Sequence, residues 1–223
     1  MKRVGLIIPH TDTTLEADLQ RNLQARGFSI HSARVWLSEV TVDAEEAMLR
    51  NEVPRAVAYL RPIRPDIVVF GCTSAGAIRG IEGERAFRAW LASEFDCPIV
   101  SAFDSVTRRL LAAGAGRVHV MTPYIRPVHE SMLASLRAAG VTLNDAGCMG
   151  YDDDVAVGRL TPAEITQFVL DHAQNLVARD RLFLSCTNLR AAECADPIKW
   201  CMDCDVTSSN LAILDQIETV LDT

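Results

Sequence analysis

Two of the seven cysteines occur in matching surroundings, each followed by threonine at the end of an apolar run. Cys72 follows the run at 67–70 and Cys186 follows the run at 182–184, and the two lie 186 − 72 = 114 positions apart. Thiolates act as nucleophiles and as proton acceptors in enzymes. Two thiols at equivalent positions therefore predict nucleophilic or acid–base chemistry in an active site that faces two similar halves.

This pair of cysteines belongs to a longer internal repeat. Residues 3–9 recur at 117–123, again 117 − 3 = 114 positions later. Internal repeats are informative because they organise the whole fold. This period is much longer than that of a solenoid repeat, so it predicts a duplicated half-domain.

The later part of the repeat slips in register. Cys97 recurs as Cys204, only 204 − 97 = 107 positions later, so the second half loses about one helical turn after its Cys-Thr loop. Both cysteines precede a core strand, which favours a structural role for them. We expect a first half-domain of residues 1–102 plus a C-terminal helix at about 208–223, a second half-domain of residues 103–207, and an active site between the two.

The elements that must position the two thiols alternate between strand and helix. Apolar runs bounded by turn residues predict strands near 4–8, 28–35, 67–70, 99–102, 118–122, 141–148, 182–184 and 205–207. Helical periodicity fills the segments between them, including 42–60 and 209–221. The alternation indicates an α/β fold with two four-stranded, mostly parallel sheets flanked by helices. The glycine-containing segment at 76–83 is interpreted as a loop.

The sheet architecture also predicts where a ligand binds, namely beyond the carboxyl ends of the strands. Four loops share this location in the duplicated plan, at 9–12, 71–74, 122–124 and 185–188. Each Cys-Thr loop leads toward a helix whose first N–H groups are unpaired and suit a carboxylate. The same field is expected to lower the pKa of each thiol toward the reactive thiolate.

Other interpretations of the cysteines are less well supported. Buried free cysteines are usually inert, but two at one repeat position, each followed by threonine, disfavour that explanation. A disulfide between Cys72 and Cys186 is disfavoured in a reducing compartment. The motif Cys201–Cys204 supplies only two of the four ligands of structural zinc, so no metal site is predicted. The acidic run Asp152–Asp154 is interpreted as a solvated loop rather than a cation site.

Composition narrows the class of protein. The chain has 223 residues, 49% of them hydrophobic, and a net charge of −7. With no basic run, nucleic acid and anionic membrane surfaces are not expected as partners. No apolar stretch is long enough for a membrane helix, and no signal-peptide pattern follows Met1. A cytoplasmic protein with reduced cysteines is the resulting expectation.

The loops taken together carry a resemblance to a known family. The chain resembles the aspartate/glutamate racemase superfamily, and within it the maleate cis–trans isomerase group, in segments 9–16, 71–76, 121–124 and 185–188. Residues 11–18 also look like the ectoine-utilisation protein A branch. The resemblance covers nearly the whole chain. It implies two pseudo-symmetric Rossmann-like halves, an active site between them, no cofactor and no metal, a small carboxylate substrate, and a possible homodimer.

The resemblance also implies roles for individual residues. In maleate isomerases the first cysteine adds to the alkene carbon, giving a succinyl-cysteine intermediate that rotates and eliminates to fumarate. By position, Cys72 is the nucleophile and Cys186 transfers the proton. The other expected substrate-binding residues are Asp12, Thr73, Ser74, Tyr124, Thr187 and Asn188.

Asp12 departs from the family pattern, because maleate isomerases typically carry asparagine there. An ionised Asp12 would repel a dicarboxylate, so it is protonated, or points away, or the substrate carries an amino group. Two alternatives to a cis–trans isomerase follow. The first is an amino-acid racemase acting on aspartate, glutamate or hydantoin-type substrates, with Cys72 and Cys186 as opposed bases. The second is a silent carboxylate-binding protein. Arylmalonate decarboxylases have glycine at the first cysteine, so Cys72 disfavours that activity.

Overall fold

Two four-stranded parallel sheets form the framework of the protein, seen in a computed structural model that describes residues 1–112, 116–173, 175–178 and 180–221. The strand orders are β2-β1-β3-β4 and β6-β5-β7-β8, so the second sheet repeats the topology of the first. The predicted fold class is confirmed. The strands are β1 (Lys2–Pro9), β2 (Phe28–Val35), β3 (Ile67–Phe70), β4 (Ile99–Ser101), β5 (Val118–Tyr124), β6 (Leu143–Tyr151), β7 (Arg181–Leu184) and β8 (Asp205–Ser208).

Ten helices pack against these sheets within the described residues, and none of them combines the length and apolarity that a membrane crossing requires. The central strands β1 and β5 are buried along most of their length, because each has strands on both sides. The helices are α1 (Leu15–Leu23), α2 (Val42–Asn51), α3 (Val53–Leu60), α4 (Thr73–Glu94), α5 (Ala102–Ala112), α6 (Arg126–Ala138), α7 (Asp154–Arg159), α8 (Pro162–His172), α9 (Ala191–Met202) and α10 (Ser209–Leu221).

Two predicted segments differ from the structure. The helix expected over 42–60 is divided into α2 and α3, because Pro54 lies in the first turn of a new helix. The glycine-containing segment expected as a loop is part of α4, which consists of two helical segments separated by a kink at Gly80 (φ 67°, ψ 179°). Gly76 lies so close to Phe103 that an added Cβ would meet the Phe103 Cβ at 2.4 Å. Close packing of α4 against α5 therefore accounts for glycine at position 76.

The last helix returns to the first sheet. Ile213 and Ile217 of α10 belong to the hydrophobic cluster formed by alternate residues of β1, including Val4 and Leu6. α10 also packs along α5. The expected division of the chain stays a prediction, and residues 113–115, 174, 179, 222 and 223 of that division lie outside the described residues.

Candidate active site

The carboxyl ends of β1, β3, β5 and β7 converge on one small, enclosed cavity of ≈ 10 Å³. The sequence predicted this position from the four loops. Seven of the eight expected site residues line the cavity wall, and Asn188 is the exception. The lining residues are Pro9, Asp12, Leu37, Val40, Cys72, Thr73, Ser74, Tyr124, Asp154, Cys186 and Thr187.

Cys72 lies between β3 and α4, as the residue that precedes the first turn of the helix. Its backbone is extended (φ −145°), and its side chain is 4% exposed. The thiol donates toward Glu45 Oε2 at 3.6 Å, and its sulfur lies 3.6 Å from Ser74 Oγ. The backbone N–H of Ala75 also points at the sulfur. Cys72 is thus held at a helix N-terminus with a carboxyl beside it.

Cys186 ends β7 in a different backbone conformation, with φ of 100°. Its N–H donates to Ser209 Oγ at 3.2 Å, which ties the loop to the start of α10. The backbone N–H groups of Asn188 and Leu189 act on its sulfur. Both thiols are free, as are the other five cysteines, so the two are not joined by a disulfide.

The prediction that the loops lower the pKa of both thiols is wrong. Burial raises the pKa of Cys72 well above its usual value, and the charge of Glu45 raises it further. Burial also raises the pKa of Cys186, followed by the charge of Asp154. The backbone N–H groups oppose these effects but do not offset them. Each thiol therefore needs a proton acceptor to become a nucleophile or base.

Hydroxyl groups form one side of the cavity. Thr73 Oγ1 donates to Ser209 Oγ at 2.8 Å, and the Tyr124 hydroxyl lies 3.2 Å from Ser185 Oγ. Thr187 Oγ1 donates to the Gly71 carbonyl at 3.2 Å, bridging the two Cys-Thr loops. These hydrogen bonds fix the wall, and the hydroxyl groups of Ser74 and Tyr124 with the N-terminus of α4 leave neutral donors suited to a carboxylate.

Asp12 is fully buried and lines the cavity, so it does not point away. Its Oδ1 accepts from the backbone N–H groups of Thr14 and Leu15 at 3.0 and 2.9 Å, which fixes the carboxyl at the start of α1. Its Oδ2 has no hydrogen-bond partner within the described part of the chain. Burial raises the pKa of Asp12 to about 7. The carboxyl thus changes charge near neutral pH, beside the space where a substrate binds.

Asn188 braces the cavity from outside its wall. Its Oδ1 accepts from the Thr13 N–H at 2.9 Å, and its Nδ2 donates to Asp154 Oδ2 at 3.0 Å. All of its donors and acceptors serve protein groups, so the structure gives it the position of a supporting residue. Asp154, its hydrogen-bonded neighbour, lines the cavity instead, and the predicted substrate contact of Asn188 stays a prediction.

The interpretation of the acidic run as a solvated loop fits Asp152 and Asp153, which are exposed, but is wrong for Asp154. Its side chain is almost completely buried and lines the cavity, where Oδ2 also accepts from Thr11 Oγ1 at 2.5 Å. It begins α7, and Asp153 caps that helix by accepting from the Val155 N–H. Among the residues that the structure describes, no cluster of three or more His, Cys, Asp or Glu has the arrangement of a metal site.

Glu45 is a site residue that sequence reasoning missed. It is fully buried in α2, beside Cys72, and burial raises its pKa to about 8. One signal for it existed in the sequence. Glu45 stands three residues after Val42 and three before Met48, so it lies on the apolar stripe of the predicted helix.

Comparisons with known proteins agree with this geometry. A family model described as arylmalonate decarboxylase matches residues 4–221. A maleate isomerase of Nocardia farcinica is 25% identical over 194 residues, covering 83% of this chain and 76% of the relative. One of Geobacillus stearothermophilus is 25% identical over 179 residues, covering 75% and 71%.

Solved structures show the same fold. A maleate isomerase variant from Pseudomonas putida with maleate has a TM-score of 0.92 at 23% identity, covering 99% of this chain and 92% of that one. A Nocardia farcinica maleate cis–trans isomerase mutant with a covalently bound succinylcysteine intermediate has a TM-score of 0.90 at 23% identity, covering 99% and 93%.

Proposed function

The chain belongs to the arylmalonate decarboxylase family, and from that premise we propose that it is a cofactor-independent cis–trans isomerase of a small dicarboxylate, of the maleate-to-fumarate type. The observation that carries the proposal is the pair of free thiols, Cys72 and Cys186, in the wall of one enclosed cavity. The maleate isomerases among its relatives support the substrate. Cys72 argues against the decarboxylase activity that gives the family its description.

Covalent catalysis explains why such a reaction needs a thiol. Rotation about a carbon–carbon double bond is slow, and addition of Cys72 sulfur converts it into a single bond that rotates freely. Cys186 donates a proton to the neighbouring carbon and removes a proton from it before elimination. The double bond then re-forms in the trans geometry, and Cys72 leaves as the thiolate.

The cavity wall supplies binding and charge stabilisation. The hydroxyl groups of Ser74 and Tyr124 and the first N–H groups of α4, including that of Thr73, hold one carboxylate. During addition, negative charge spreads from the alkene into that carboxylate, so the same donors stabilise the developing charge. The apolar side chains of Leu37 and Val40 close the cavity and exclude water from the adduct.

The direct test is to incubate the purified chain with maleate and to follow the loss of its absorbance together with fumarate formation. We expect conversion without added cofactor, and none with the Cys72→Ser variant. No conversion by the wild type, under conditions where a known maleate isomerase is active, would rule out this substrate.

A second candidate function is favoured by Asp12. Its unpartnered Oδ2 faces a cavity whose wall also contains Asp154 but no Lys, Arg or His. This arrangement suits a substrate amino group, and the two thiols then act as opposed bases of an amino-acid racemase. Incubation of aspartate, glutamate and hydantoins in heavy water tests it. Absence of deuterium at Cα in all of them excludes this candidate.

Location and assembly remain predictions of this proposal. Seven free cysteines fit a reducing compartment such as the cytoplasm. Size-exclusion chromatography with light scattering tests the expected homodimer.

A further inference from the structure

The reaction proposed above leaves one buried group beside the nucleophile without a role. Glu45 Oε2 lies 3.6 Å from the Cys72 sulfur, and Glu45 Oε1 has no hydrogen-bond partner within the described residues. Glu45 is not part of the cavity wall. The Glu45 carboxyl therefore lies behind the cavity wall, in contact with the Cys72 sulfur but away from the space for a substrate.

We propose that Glu45 is the general base that takes the proton of Cys72 when the sulfur adds to the substrate, and that returns it when the adduct breaks down. This inference rests on the proposed function, because it assigns a role within that covalent cycle. It adds a catalytic residue that the pair of Cys-Thr loops does not contain.

Every proton that moves in the cycle has a donor and an acceptor when Glu45 is the base. In the first step the S–H bond breaks, the proton goes to Glu45 Oε2, and the sulfur electron pair forms the C–S bond. The alkene π pair moves to the neighbouring carbon, which takes a proton from Cys186. In the reverse direction Cys186 removes that proton, the double bond re-forms, the C–S bond breaks, and the Cys72 thiolate recovers its proton from Glu45.

Among the described residues, no other group near the Cys72 thiol can take its proton. Ser74 Oγ lies 3.6 Å from the sulfur, but a hydroxyl is far too weak a base to hold the proton. The cavity wall contains no Lys, Arg or His, and its enclosure keeps bulk water away. Since burial disfavours the free thiolate, transfer to an adjacent carboxylate is the available route.

The charges around Glu45 set the pH at which it works. The titratable groups that face it are Cys72 at the start of α4, Asp154 from α7 and Tyr124 from β5. None of them is a cation. Burial, the largest cause, and the charge of Asp154 raise the pKa of Glu45 to about 8. The carboxylate form therefore increases as the pH rises through about 8, and the reactivity of Cys72 is expected to rise with it.

A substrate-free test is the rate of iodoacetamide alkylation at Cys72, measured by peptide mass spectrometry between pH 6 and 10 on the full chain. In the wild type we expect the rate to rise through pH 8. In Glu45→Gln we expect at least a tenfold loss at pH 8, with the rise moved above pH 9. Glu45→Asp should recover part of the rate and keep the wild-type pH profile. Alkylation of Cys186 in the same samples reports whether each variant is folded.

The sign of the effect separates a base from a neighbouring charge. A carboxylate that only holds the thiol protonated would, when removed, speed alkylation, so an equal or faster rate in Glu45→Gln overturns the proposal. Glu84→Gln is the matched control, because Glu84 is another buried carboxyl with a raised pKa, in α4. In the Glu84→Gln variant, the alkylation rate of Cys72 should equal that of the wild type. The assay uses no substrate, so a chain that labels as expected but leaves maleate unchanged refutes only the proposed function.

Discussion

The two Cys-Thr loops share a sequence pattern and a place at the end of a strand, yet their backbones differ. Cys72 is extended and is followed at once by α4, so its sulfur lies at a helix N-terminus. Cys186 has φ of 100°, and the next helix, α9, begins only at Ala191. In the second loop the chain bends after Cys186, so that the backbone N–H groups of Asn188 and Leu189 lie near the Cys186 sulfur.

The partners of the two thiols differ as well. Cys72 has the carboxyl of Glu45 within hydrogen-bonding distance, whereas no described side chain within such a distance of Cys186 sulfur accepts its proton. Each half of the duplicated fold thus contributes one thiol to the cavity wall, but only the Cys72 thiol has a carboxyl beside it that can act as a base. This asymmetry suits a nucleophile and a separate proton carrier better than two equivalent bases.

The largest expected effect on activity comes from replacing the cysteine of the first loop. Cys72→Ser should lower kcat for maleate at least about a thousandfold, roughly 4 kcal/mol in barrier, because an alcohol is a far weaker nucleophile than a thiolate. Steady-state kinetics measures this, with Cys97→Ser as the control. Cys97 lies just before β4, outside the cavity wall. If Cys72→Ser keeps more than about a tenth of the rate, a difference of only ~1.4 kcal/mol, covalent catalysis by Cys72 is wrong.

Replacing the cysteine of the second loop should have a different result. Cys186→Ser should also stop turnover, but Cys72 can still add to the substrate, so the adduct should accumulate. Intact-protein mass spectrometry after incubation with maleate should show a mass increase of one maleic acid equivalent on Cys72. An equal adduct on position 186 of a Cys72→Ser variant would mean that the thiols are interchangeable, which contradicts the division of roles.

Asp12 gives a smaller effect that sharpens the choice of substrate. The pKa of Asp12 is raised to about 7, so its charge grows as the pH rises from 6 to 8. The resulting repulsion should raise KM for maleate over that range. Asp12→Asn should remove the pH dependence and raise kcat/KM at pH 8 by about tenfold, ~1.4 kcal/mol. A substrate with an amino group predicts the reverse, with the variant weaker at every pH.

Much of the framework could be predicted from the sequence because the signals are local. The strands at 28–35 and 67–70 and the helix at 209–221 have the predicted bounds, since continuous apolar runs and helical periodicity need no distant partner. The start of α4 at Thr73 could not be predicted. Gly76 in its first turns packs closely against Phe103, a contact between distant residues that the local pattern does not show.

The site was predictable in position but not in its electrostatics. The repeat places the two thiols at equivalent strand ends, and strand ends of parallel sheets meet at one edge. The apolar stripe of its helix signals that Glu45 is buried, but its position beside Cys72 depends on how α2 packs against α4, which the helix pattern does not give. The raised pKa of each thiol has the same origin, because the depth of a loop is a property of the whole fold.

The smallest expected effect concerns the backbones of the two loops. At φ of 100° an L-residue is strained, so Cys186→Gly should be more stable than Cys186→Ala by about 1 kcal/mol. At position 72 the backbone is extended, so the order should reverse, with Cys72→Ala more stable than Cys72→Gly by about 0.4–1 kcal/mol. Urea unfolding of the four variants measures both differences. The same order at both positions would show that the loops share one backbone conformation, and the contrast between them would then lie in their side-chain partners alone.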